Sequence, residues 1–108
     1  HGRLAFGTSI PVAKVPRLAE LLPAAEVTLS KEGSVVDRGT GANVLGSPLA
    51  ALAHFVGVLA RQPFAPELRP GEIITTGVLT DAHPVKAGET WTTSFRGLPL
   101  PGLTVTFA

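Results

Sequence analysis

Apolar and polar residues alternate with period two along several stretches of the chain, which is the pattern of strands with one face in a core. Val27 and Leu29 alternate with Thr28 and Ser30. Residues 34–38 follow across a turn containing Gly33, so 26–30 and 34–38 read as a β-hairpin. From 90 to 96, Trp91, Thr93 and Phe95 oppose Thr90, Thr92, Ser94 and Arg96. Leu103, Val105 and Phe107 then oppose Thr104 and Thr106, so the last third reads as a β-meander. Residues 4–10 read as a further strand, weakened by Gly7. Residues 72–79 are apolar on both faces and predict a buried central strand.

One stretch changes period. Leu49, Leu52, Val56 and Leu59 fall on a single helical stripe. Ser47 suits the N-cap and Pro48 the first helical position, where a missing N–H costs nothing. Arg61 falls in the last turn and Pro63 stops the helix, which is expected over about 47–62. Leu18, Leu21 and Leu22 predict a helical turn or a loop, ended by Pro23. The fold class expected is α+β: a mostly antiparallel mixed sheet or roll with one main helix.

The chain has 108 residues, enough for one core, and is expected to be a single domain or a fragment of a longer one. It opens on His1 and contains no methionine, which points to processing or to a piece of a larger protein. Its net charge is +1 and its basic residues are scattered singly, so no stripe exists to neutralise phosphates and nucleic acid is not an expected partner. Cysteine is absent, which excludes disulfides and thiolate metal sites. The longest apolar run, 48–60, is interrupted by His54 and is short for a membrane span, so the expected location is the cytoplasm and no membrane partner is expected.

Several candidate chemistries fail on their spacing. The glycine-rich stretch 39–46 precedes a helix, but Gly46-Ser47-Pro48 lacks the lysine of a phosphate loop and Val44 stands where a dinucleotide fingerprint needs glycine. Ser47 is flanked by Leu45 and Leu49 where a nucleophile elbow has glycines, so it reads as a cap. His54 lies off the apolar stripe and reads as a partly exposed histidine. Asp81 and His83 are two apart and on a strand could grip a metal, but Pro84 follows directly and favours a turn. The glutamates sit at turns and element ends, without a pair for acid–base work. Thr75-Thr76-Gly77 stands out: hydroxyls in an apolar stretch need partners, and a glycine there leaves backbone open to a ligand or to close packing. A threonine hydroxyl with neighbouring N–H groups could hold a carboxylate.

Four segments form an ordered series: GANVLGSPLAALA at 41–53, RPGEIITTGVL at 69–79, PVKAGE at 84–89, and FRG at 95–97 with a closing VTF strand at 105–107. This series resembles the C-terminal portion of the 2-keto-4-pentenoate hydratase family, which includes 4-oxalocrotonate decarboxylases and belongs to the fumarylacetoacetate hydrolase superfamily. The resemblance implies an enclosed site in which a Mg2+ or Mn2+ ion chelates a 2-keto acid and polarises its keto group. It implies a place in the meta-cleavage degradation of aromatic compounds. The family's threonine–glycine pair falls on Thr76 and Gly77, making them the expected substrate-binding residues. The family's metal-binding carboxylates and catalytic lysine lie upstream, so no metal ligand and no catalytic residue is expected here. Lys86 matches a turn position rather than that lysine. His1-Gly2-Arg3-Leu4 departs from a small polar segment that lines the family's pocket.

The function expected is therefore the C-terminal portion of a metal-dependent hydratase acting on 2-hydroxy-2,4-dienoates (2-keto-4-enoates), inactive and without metal as an isolated piece. A 2-oxo acid decarboxylase or a C–C hydrolase of the same superfamily is the alternative within the class. A non-catalytic binding or assembly module is the alternative outside it. Missing upstream strands would leave apolar faces uncovered, so the expected partners are a small 2-keto acid and further copies of the chain.

Overall fold

The computed structural model describes residues 2–108. Six regular elements follow a 3-10 turn near the start: α1 (Leu18–Ala24), β1 (Glu26–Lys31), β2 (Ser34–Thr40), α2 (Pro48–Arg61), β3 (Thr90–Arg96) and β4 (Thr104–Thr106). A second 3-10 turn, Gly41–Asn43, joins β2 towards α2. The strands form one sheet in the order β2-β1-β3-β4, and every pairing is antiparallel. The α+β class holds, and the sheet is antiparallel rather than mixed.

The hairpin closes through Glu32 (φ 48) and Gly33 (φ 80), two positive-φ residues in succession. That conformation matches the right-handed twist of the flanking strands. The register places Gly39, Val27 and Phe95 side by side, then Asp37, Leu29 and Thr93, then Lys31 and Trp91 beside Val105. Paired residues share a face, so this row is the inner face of the sheet. The opposite face is polar, with hydroxyl pairs Thr90–Thr106 at 2.9 Å and Thr92–Thr104 at 3.4 Å and an Arg96–Glu26 ion pair. The alternation expected for β3 and β4 is thus observed. An irregularity between Leu29 and Ser30 leaves Val36 without a direct partner across from β1.

Helix α2 begins as its sequence predicts. Ser47 Oγ accepts from the Leu49 N–H at 3.3 Å, and Pro48 occupies the first turn. Residues 18–24 form a helix that carries Pro23 in its last turn. The stretch Gly41–Arg61 has a mean hydropathy of 1.5 over its most apolar window and is 21 residues long. Its regular helix is only 14 residues, about 21 Å at 1.5 Å per residue. Leu45 (φ 49) and Gly46 (φ 80) break the backbone before it, so the stretch is not one continuous helix.

Two expected strands do not form. Residues 4–10 and 72–79 take no place in the sheet, and Leu4, Phe6, Ile73 and Val78 are exposed. A strand exists through its ladder, and among the described residues neither segment has a neighbouring strand. Apolarity on both faces reports what a segment would bury, without placing anything beside it. The core is correspondingly small: Ala25, Val27, Val44, Ala51 and Trp91 are the buried apolar residues among those described. The radius of gyration is 15.5 Å, where a compact chain of this length has about 13 Å.

Candidate functional site

Thr76 is half-buried and Thr75 exposed. With Ile74 they line a hollow of ≈ 310 Å³ against Ala51, Leu52 and Phe55 of α2. His54 is exposed on the helix and also borders this hollow. Gly77 adopts φ 142, a conformation open to glycine, and a Cβ there would stand 3.0 Å from Val44 Cγ1. Gly77 is exposed. Of the two residues singled out from the sequence, Thr76 lines the hollow, while Gly77 follows it outside the lining, beside Val44, in a conformation that favours glycine.

The segment that follows is held from β2 and the turn after it. Asn43 Nδ2 donates to the Leu79 carbonyl at 2.8 Å. Gly39 permits that carbonyl to approach, since a Cβ at 39 would stand 1.8 Å from it. Asp37 Oδ2 accepts from the Asp81 N–H at 3.0 Å and lies 2.8 Å from His83 Nε2. Asp37 is on the inner face of the sheet by register, where a carboxylate needs hydrogen-bond partners. Its hydrogen bond to His83, followed by that from Asp81, holds its pKa below the usual carboxylate value. Asp81 and His83 both meet Asp37, Asp81 through its backbone N–H and His83 through its ring, so their side chains do not form the pair that strand spacing would allow.

His83 also packs on Trp91, with ring centroids 5.9 Å apart. Lys31 Nζ lies 5.7 Å from the Trp91 ring centroid and 2.6 Å from Glu89 Oε1. Glu89 further accepts from the Lys86 N–H at 3.0 Å and from Trp91 Nε1 at 3.2 Å. Lys31 first, then these N–H donors, lower the Glu89 pKa to about 2. Lys86 serves the turn through its backbone, as expected. Arg3 and Leu4 border an open cleft of ≈ 960 Å³ beside His83 and Trp91. The expectation about the opening segment also involves His1, which lies outside the described residues.

Over 77 residues the chain is 38% identical to a 2-keto-4-pentenoate hydratase of Paraburkholderia phymatum, covering 71% of this chain and 29% of that protein. Over 72 residues it is 38% identical to a 4-oxalocrotonate decarboxylase of a Pseudomonas species, covering 67% and 26%. A solved 4-oxalocrotonate decarboxylase from Pseudomonas putida, complexed with calcium and acetate, superposes with a TM-score of 0.72 at 35% identity, over 84% of this chain and 34% of that one. The chain belongs to the 2-keto-4-pentenoate hydratase and 4-oxalocrotonate decarboxylase family. It matches a C-terminal part of its relatives and spans about three tenths of their length. No protein-family model matches it.

A second structure of that Pseudomonas putida decarboxylase is complexed with magnesium and adipate. The donors of this family member's described residues do not fit such an ion. Among them no group of three or more His, Asp or Glu residues could hold a metal ion. Asp37 is engaged by His83 and Asp81, and Glu89 by Lys31. What these residues offer is one wall of a mostly apolar hollow, with the Thr75 and Thr76 hydroxyls on it and Gly77 next in the chain, and a set of side chains that hold the segment carrying them.

Proposed function

We propose that this chain is one part of a metal-dependent hydratase that adds water to 2-hydroxy-2,4-dienoates, and that Thr76 and Gly77 receive the carboxylate of the 2-keto acid. The observation that carries this reading is Thr76, half-buried at the hollow beside a glycine whose backbone is exposed. A hydroxyl and a free backbone N–H are the neutral donors that suit a carboxylate oxygen. The divalent ion is assigned to residues outside this stretch, since the donors here do not fit one. The exposed surface supports incorporation into a larger body. It totals 8146 Å², against about 5,700 Å² for a folded monomer of this mass. The difference is the size of an obligate interface.

A decarboxylase is the second reading, favoured by the structural match to 4-oxalocrotonate decarboxylases. Incubating the full-length protein and Mg2+ with 2-hydroxypenta-2,4-dienoate and, separately, with 4-oxalocrotonate decides between them. The hydratase reading expects water addition to the first; release of CO2 from the second without hydration of the first replaces it. Thr76→Val then tests the site. A hydrogen bond to a charged group contributes about 1.5–3 kcal/mol, so kcat/KM should fall roughly 10- to 150-fold. Unchanged catalysis in this variant supports a non-catalytic role for the wall.

A further inference from the structure

We infer that Asn43, Asp37 and His83 are positioning residues for the substrate carboxylate, acting through the strap that carries Thr76 and Gly77. The inference rests on the carboxylate reading of Thr76 given above. Residues 72–79 have no ladder partner among the described residues, so the strap's placement depends on other contacts. Those contacts converge just after Gly77. Asn43 Nδ2 holds the Leu79 carbonyl at 2.8 Å, two residues on. Asp37 Oδ2 takes the Asp81 N–H at 3.0 Å and His83 Nε2 at 2.8 Å. Before Leu79, Val44 packs where a side chain at 77 would stand.

Asp37, Asn43 and Val44 belong to β2 or the turn that follows it, while His83 reaches Asp37 from the segment that continues the strap, and the frame of β2 and its turn is rigid. β2 is laddered to the central strand β1. The turn is tied back by the Gly41 N–H to the Ala25 carbonyl at 2.9 Å. Asp37 is itself oriented by a third donor, the Arg38 N–H at 2.7 Å from Oδ1. The strap therefore inherits its position from the sheet, and a carboxylate held at Thr76 is located relative to β2. None of the three side chains needs to touch substrate; each acts by fixing where the Thr76 hydroxyl and the neighbouring backbone stand.

The test uses the full-length enzyme with 2-hydroxypenta-2,4-dienoate and Mg2+. Asn43→Asp keeps the shape at 43 and replaces the donor to Leu79 with an acceptor. His83→Ala removes the donor to Asp37, and His83→Gln restores one. Asn43 is exposed and His83 only half-buried, so His83→Ala carries the test if Asn43→Asp does not fold. The expected result is a KM raised severalfold in Asn43→Asp and His83→Ala, with kcat changed less, and recovery in His83→Gln. Neither substitution should add its full effect to Thr76→Val, because each acts through that hydroxyl. If Thr76→Val impairs the enzyme while Asn43→Asp and His83→Ala lower only the melting temperature and leave KM unchanged, the strap is merely structural and the inference is overturned. If Thr76→Val leaves catalysis intact, the carboxylate reading itself falls, and the inference with it.

Discussion

Replacing Gly39 by alanine should destabilise the protein, although local preference argues for the opposite. Gly39 lies inside β2 without a positive φ, a place where glycine is less favourable than alanine by about 0.5–1 kcal/mol. On backbone preference alone, Gly39→Ala is a stabilising change. The structure reverses the sign. The new Cβ would stand 1.8 Å from the Leu79 carbonyl oxygen, 2.5 Å from its carbon and 3.3 Å from Asn43 Nδ2. The two nearest of these atoms are backbone, so the strap must move by more than an ångström. Overpacking of this kind costs about 1–3 kcal/mol. Displacing Leu79 also stretches the bond from Asn43, worth about 1 kcal/mol. Setting these against the favourable backbone preference leaves a net loss of about 2 kcal/mol. Equilibrium urea unfolding of the full-length protein, wild type against Gly39→Ala, measures it as a lowered midpoint at constant slope. An unchanged or raised midpoint would show that the strap does not lie against β2, and would remove the frame on which its anchoring rests.

Three further outcomes follow from local geometry. Ser47→Ala removes the acceptor for the Leu49 N–H and should cost about 1 kcal/mol, read by the same unfolding experiment. Glu89, with its pKa lowered to about 2 by Lys31 and two N–H donors, contributes stability that is present above the ordinary glutamate value of 4.5 and is lost as pH falls through about 2. Lys31→Met should move the Glu89 titration upward in a carboxyl-resolved NMR experiment; an unmoved titration would deny the Lys31 contact its leading part.

The parts of the fold that sequence alone reveals are those whose partners are near in the chain. The hairpin of β1 and β2, the alternation of β3 and β4, and the capped start of α2 were all visible, because turn chemistry, period and capping act within a few residues. Residues 4–10 and 72–79 misled for the converse reason. Their composition suits strands, yet strand formation needs a neighbour, and composition cannot supply one. Thr76 and Gly77 were legible as polar residues in an apolar stretch. Asp37 was not, because its place on the inner face depends on the register with Leu29. Asn43 looked like one more residue of a glycine-rich loop, and only the approach of Leu79 shows what its amide does.

The sequence by itself determined the class of the fold, the elements with local signals, the family, and the threonine–glycine pair as the candidate binding residues. Tertiary structure alone decided what holds that pair. Asp37 and His83 meet across 46 positions, and Asn43 and Leu79 across 36. Those contacts arise because β1 and β2 pair in a register that turns Gly39 and Asp37 to the inner face. One then leaves room for a carbonyl, and the other presents a carboxylate that must be hydrogen-bonded there.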